Sequence, residues 1–324
     1  MATAPMNRSA FPQQTDREIA KVFYGSYADL PAEWSKIAKV ETFPKGRYLS
    51  QAELSPLGAL QGMGEGEEIT FDTPAEGHKK TVSVVKFGLG FQVTEEMLED
   101  DLQGQVSKLP QSLARSAGFC LEQNFWNLFN NGFASELAWD GQFVFDSDHV
   151  TMKSGETISN VGAADLSQTS LEAAFEYYDG LKDEAGFPLM MKPDKLIIPT
   201  ELKWVANDLL KATGRVWDYT SRSGGYVTVG SGDSVAPGNG PLMNGVNPSN
   251  GVVDNWSIMV SHYLTDPDAW FLLAPEHGFT FYWKKQPKME SSSSFGTGSK
   301  LYKVTTRFKP TVWDYKGSYG SPGA

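Results

Sequence analysis

Residues 43–92 place the tightest limit on what this chain can fold into. Helix periodicity is lost there, and eight glycines intervene: Gly46, Gly58, Gly62, Gly64, Gly66, Gly77, Gly88 and Gly90. Two strand-like runs remain, Glu68–Asp72 and Lys79–Phe87. They are joined by Thr73-Pro74-Ala75-Glu76-Gly77-His78, which is turn chemistry. The second run alternates polar and apolar side chains through Lys80–Val84, the pattern of a strand with one wet face. A two-stranded ribbon alone is marginal in water. The excursion therefore needs a partner, and a neighbouring subunit can supply one.

The rest of the chain alternates helices and strands. A polar start leads into a helical pattern around Arg17–Phe23, and Leu30-Pro31-Ala32-Glu33-Trp34 places a proline where a first helical turn accepts it. Thr94 is a candidate N-cap, with Glu95 and Glu96 in the turn where the helix dipole favours them. Pro110 is expected to open a new helix of about five or six turns. Its buried face is Leu113, Ala117, Cys120, Leu121, Phe125 and Leu128, and Asn130-Asn131-Gly132 ends it. Trp139–Phe145 carries a hairpin signal with Asp140-Gly141 as its turn. Residues 165–186 return to helix, capped by Asp165 or Ser167. Lys195–Pro199 reads as a buried strand, residues 200–212 as helix, and residues 221–251, with eight Gly and three Pro, as a long loop. Strands follow at Ser257–Ser261, Ala269–Leu273, Gly278–Trp283 and Leu301–Phe308, and the tail Gly317–Gly323 is expected to fray. The class is α+β, and 324 residues favour two domains, or one domain with large excursions.

Charge and chemistry narrow the function. With 28 basic against 39 acidic residues the net charge is −11, which disfavours avid, sequence-specific DNA binding. One cysteine, Cys120, excludes an intrachain disulfide and a CxxC metal site. Its place on the apolar helix face makes it a buried, inert thiol. The first residues lack the apolar run of a signal peptide, and no stretch reaches the roughly 18 apolar residues of a membrane helix. A soluble protein, cytoplasmic when made, is expected. Gly296–Lys300 has phosphate-loop residue types at the wrong length and opens no helix, and GxSxG, HExxH and GxGxxG are absent. His78, His149, His262 and His277 do not lie at a helix spacing that chelates one metal. Asp146-Ser147-Asp148-His149 reads as an Asx turn, since an EF-hand would need glycine where Thr151 stands. Glu95/Glu96 and Asp100/Asp101 are adjacent pairs that do not face each other on a helix. No catalytic, cofactor-binding or metal-binding residue is predicted, and no cofactor.

The order of features carries a resemblance. An N-terminal arm is followed by the Gly-rich excursion, the acidic segment Thr94–Asp101, a long helix ending Phe125-Trp126-Asn127-Leu128-Phe129, an α/β portion, and the strand-rich return Tyr302–Phe308. This resembles tailed-bacteriophage major capsid proteins of the Hong Kong 97 fold. Trp139-Asp140-Gly141 through Phe145-Asp146-Ser147-Asp148-His149, and Trp313-Asp314-Tyr315-Lys316-Gly317, look most like Mu-type major head subunits. The resemblance implies an arm at 1–42 and an extended loop at 43–92 lying across the adjacent subunit. It further implies a peripheral domain with spine helix at 93–164, an axial domain at 165–284, and return strands with the C-terminal tail at 285–324. It implies self-assembly into hexamers and pentamers of an icosahedral shell around double-stranded DNA, in the virion, after assembly in the host cytoplasm. Its partners would be copies of itself, a separate scaffolding protein, a portal and a decoration protein, with non-specific proximity to packaged DNA and no membrane. Lys79, Lys80 and Lys86 lie in the loop, but nothing marks them for covalent stapling. The alternatives are a non-viral oligomeric shell or surface-binding protein, and a hydrolase using His149 or His277.

Overall fold

The computed structural model describes residues 12–324 except 70, 75, 95, 98–104, 152–154, 212–255, 295 and 297. The loop predicted at 221–251 lies outside the described residues. The chain divides into two compact units: residues 1–55, 73–144 and 278–314, and residues 56–72, 145–277 and 315–324.

The first unit is built on a four-stranded sheet in the order β1 (Lys39–Thr42), β10 (Phe279–Ser293), β11 (Lys300–Val312) and β4 (Val85–Val93). Alternation along β11 sends Tyr302, Val304, Thr306 and Phe308 to the buried face. Helix α1 (Pro12–Ala28) packs on helix α2 (Gln105–Asn130), and Phe23 joins Leu113, Ala114 and Val304 in one cluster. Phe129 stacks on Phe279 at 4.5 Å and 4°, and Trp34 on Phe281 at 4.2 Å. Leu30 lies so close to Gly118 that an added Cβ would stand 2.7 Å from its Cδ1. One carboxylate, Asp16, accepts from Tyr302 Oη (2.8 Å), Lys300 Nζ (3.1 Å) and Ser291 Oγ (3.2 Å), fastening α1 to the hairpin β10–β11.

The second unit holds the sheet β12 (Ser318–Ser321), β9 (Trp270–Leu273), β7 (Lys195–Ile198) and β8 (Ser257–Val260). Helices α3 (Gln168–Gly180) and α4 (Lys203–Lys211) supply Leu171, Ala174, Tyr178, Ala206 and Leu209 to its core. Ser167 is the N-cap of α3 in a reciprocal box with Ser170, which decides between the two predicted caps. The small pair β5 (His149–Val150) and β6 (Thr157–Ile158) belongs to the same unit.

Several expectations are corrected. The ribbon pairs β2 (Tyr48–Leu54) with β3 (Glu76–Ser83), not Glu68–Asp72 with Lys79–Phe87. Residues 85–93 leave the ribbon and become β4 of the large sheet, because Phe87 and Phe91 find Phe308 and Tyr302 to stack on. The long helix begins at Gln105 and carries Pro110 inside it. The hairpin signalled at Trp139–Phe145 is present in a short form: one isolated antiparallel bridge, Leu137 to Phe143, flanked by Ala138 N–H to Gln142 O (2.9 Å) and Val144 N–H to Glu136 O (3.0 Å), while Gln142 N–H turns to Asp140 Oδ1 (3.2 Å).

The tail is not frayed. Residues 318–321 form a fully buried strand on β9, since Tyr319 packs on Trp270 and Gly320 lies between two rings. A Cβ on Gly320 would stand 2.8 Å from Phe145 and 2.9 Å from Phe271. Gly320→Val is therefore expected to lower stability by about 1–3 kcal/mol or more, the cost of overpacking. Thermal melting checks this, and an unchanged Tm would mean that the two rings move aside freely.

Candidate assembly surface

The ribbon is held at its root and bare at its tip. Lys284 Nζ donates to the carbonyls of Pro44 (2.5 Å) and Gly46 (3.0 Å) while lying 5.3 Å from the Phe43 ring centre. Lys80, on β3, donates to the carbonyls of Leu137 (2.5 Å) and Val312 (2.7 Å). Burial lowers the Lys80 pKa to about 8, against the opposing pull of Glu136. Between the strands, Ser50 and Thr81 share a hydroxyl hydrogen bond of 3.0 Å, and His78 Nδ1 lies 3.6 Å from the buried Glu53 carboxylate.

Residues 56–72, between the two strands, contain no helix or strand among those described. Gly64 N–H donates to Glu67 Oε2 at 2.7 Å, and Gly58 N–H to Asp72 Oδ2 at 2.8 Å, so the segment is shaped by its own carboxylates. Leu57, Leu60, Met63, Ile69 and Phe71 are all exposed, Phe71 at 90%. Fully burying one such side chain stabilises by about 1.5–3 kcal/mol. Five on one excursion make a surface built to be covered.

The residues weighed for chemistry sit elsewhere and do other work. His149 is fully buried and stacks on Tyr315 at 3.8 Å and 7°, and His277 is 2% exposed. Neither imidazole is open to a dissolved substrate. Asp146 N–H donates to Asn160 Oδ1 at 2.8 Å, and the Asp146 carboxylate accepts from Ser147 N–H, one residue on. Cys120 is half-buried, not buried as expected, because it lies at the margin of the packed face. Burial raises its pKa against a hydrogen bond from Asn124. Gly296–Lys300 leads from β10 to β11, and Lys300 Nζ is taken by Asp16. Thr94 Oγ1 accepts from Met97 N–H at 3.3 Å as a cap should, whereas Glu95, Asp100 and Asp101 lie outside the described residues. His78 is on the ribbon and His262 is exposed. No group of three or more His, Cys, Asp or Glu among the described residues is placed to hold a metal ion.

The structure joins the two segments that carried the family resemblance. Trp139 N–H donates to Trp313 O at 3.0 Å in the first unit, and His149 stacks on Tyr315 in the second. Three charged groups escaped the sequence reading. Glu122, 3% exposed, accepts from Glu33 N–H (2.7 Å), Trp126 Nε1–H (2.9 Å) and Trp34 N–H (3.2 Å). Glu184 and Lys316 form a buried ion pair.

The family described as phage capsid protein matches residues 79–320. The Mu-like prophage FluMu major head subunit of Haemophilus influenzae is 28% identical over 133 residues, 40% of this chain and 41% of that protein. In that match the chain thus spans about two fifths of the relative's length. Among solved structures, the mature capsid of bacteriophage PhiM1 superposes with a TM-score of 0.58 at 9% identity, covering 90% of this chain and 87% of that one. The bacteriophage JBD30 capsid gives 0.55 at 16%, covering 74% and 92%. The capsid of the native GTA particle gives 0.55 at 12%, covering 91% of each.

Proposed function

The chain belongs to the phage capsid protein family and has its Hong Kong 97-type fold, and on that premise we propose that it is the major head subunit of a tailed phage. Copies assemble into hexamers and pentamers that close into an icosahedral shell around double-stranded DNA. Residues 93–164 with the return strands at 285–324 act as the peripheral domain and residues 165–284 as the axial domain. The work is burial, not catalysis: each copy offers surfaces that other copies complete, and symmetry closes the set.

The observation that carries this reading is the tip at 56–72, whose apolar side chains Leu57, Leu60, Met63, Ile69 and Phe71 stand exposed among the described residues. A sister subunit covers it. An interface of ordinary size buries about 1,200–2,000 Å², and an excursion that wraps a neighbour adds to that area without enlarging the core. A separate scaffolding protein, a portal and a decoration protein complete the set of partners, and packaged DNA lies alongside without being gripped.

Electron microscopy and sedimentation of the expressed chain test the proposal, with and without residues 56–72. The intact chain is expected to give closed shells or capsomer rings, and the deleted chain to stay small while remaining folded. A deletion that left particle size unchanged would rule the reading out.

A further inference from the structure

On the sheet face turned away from α2, Lys86 of β4, Arg307 of β11 and Lys285 of β10 stand directly opposite one another on three adjacent strands. Alternation confirms the face: Phe87 and Phe308 stack on the other side, and Lys285 Nζ reaches Thr305 Oγ1 at 3.3 Å. Like charges directly opposite in a sheet are destabilising, yet the fold carries two such pairs in succession.

The face holds too little negative charge to balance them. Among the described residues one carboxylate, Glu290, meets Lys285 (3.5 Å), Lys288 (3.6 Å) and Lys303 (3.4 Å). Lys285 and Lys303 in turn hold its carboxyl below the usual carboxylate value. Arg307 has no ion pair among the described residues, and its buried Nε has no hydrogen-bond partner. A buried donor left unmet costs about 1–3 kcal/mol. Beside the row the surface is smooth, because Gly88 and Gly90 stand across from Thr305 and Lys303. A Cβ at Gly90 would come within 2.6 Å of Tyr302 O. The row is a cationic seat in a chain whose net charge is −11.

The same chain exposes the matching anion. Glu65 and Glu68 are exposed at the ribbon tip, flanked by the exposed Met63 and Ile69. We propose that the Lys86–Arg307–Lys285 row is the docking seat for the Glu65–Glu68 tip of a second copy. The inference rests on the shell reading above and adds where the tip lands and what sets its register. Charge fixes position and partner, and the neighbouring apolar side chains supply the burial. The two patches are different surfaces of one chain, so the contact is heterologous and closes into a ring when the rotation allows.

Charge reversal tests this on the full chain. Lys86→Glu/Arg307→Glu and Glu65→Lys/Glu68→Lys are each expected to lower the yield of sedimenting shells or rings about ten-fold or more, equivalent to about 1.4 kcal/mol per contact. Combining all four substitutions is expected to restore assembly. Circular dichroism confirms that each variant folds. If the row reversal misfolds, Lys86→Gln/Arg307→Gln replaces it. Wild-type assembly should then weaken between about 0.05 and 0.5 M salt, as screening shortens the Debye length, while the neutral variant stays flat. The seat is wrong if the four-fold variant assembles no better than its parents, or if the neutral variant keeps the wild-type salt dependence. It is also wrong if row reversal leaves assembly intact and instead weakens binding to a labelled DNA duplex, which would give the face to DNA. Failure of the wild type to assemble under any condition is a separate result that sinks the shell reading itself.

Discussion

Lys316→Met is expected to lower the free energy of unfolding by about 3–5 kcal/mol. Lys316 and Glu184 are 7% and 6% exposed in their side chains, and the ammonium donates straight to the Glu184 carboxylate. Removing the lysine takes the ammonium away from a carboxylate that has little water to replace it. The pair also fixes the path of the last residues. Gly317, next in the chain, has φ +76, and a Cβ there would meet the His277 backbone at 3.3 Å. Lys316 lies 5.7 Å from the Tyr315 ring centre, and Tyr315 is the ring that covers His149. The companion variant Lys316→Met/Glu184→Leu removes both charges and should recover most of the loss, since a well-packed apolar pair can match a buried ion pair. Urea unfolding at unchanged slope reads both variants. A loss below about 1 kcal/mol for the single variant would mean that water reaches the site.

What could be read from the sequence divides along physical lines. The inner face of α2, the Ser167 cap and the strand at Lys195–Ile198 rest on local pattern and were legible. The strand Tyr48–Leu54 was missed because its pattern is inverted: Glu53 is buried and Leu54 is exposed. The second half of β10, Lys284–Ser293, carries lysines and serines on its outer face, so its strand character comes from lying along β11, not from its own residues. The closing strand depends on rings brought by Phe145 and Phe271, far away in sequence. The Glu184–Lys316 pair spans 132 positions and leaves no local trace. Glu122 did leave one: it is a carboxylate set between Leu121 and Phe125 on a helix that buries both. The assembly surface was half legible, since the need for a covering partner followed from the glycines, whereas the cationic row required the cross-strand register.

Glu122→Ala is expected to destabilise the first unit by about 3 kcal/mol or more, because three donors lose their acceptor and each unmet buried donor costs about 1–3 kcal/mol. Those donors come from two places. Glu33 and Trp34 N–H are the N-cap and the first residue of the 3-10 turn Trp34–Lys36, and Trp126 Nε1–H belongs to α2 itself. The carboxylate therefore clamps the arm to the long helix, and Glu122→Gln, which keeps one acceptor oxygen, should lose less. The pH dependence separates charge from shape. Burial raises the Glu122 pKa, the Trp126 indole and the Glu33 N–H pull it back, the Glu33 charge raises it further, and the Trp34 N–H lowers it; the net direction is upward. The folded protein then holds this proton more tightly than the unfolded chain. Its contribution to stability is fully present below the ordinary value of 4.5 and declines as pH rises to the raised folded value. Above that it is flat. Glutamine does not titrate, so the wild type should lose stability relative to Glu122→Gln as pH rises through that window. Chemical denaturation of both proteins at stepped pH measures the difference, and parallel curves would mean that the site is wet enough to ionise normally.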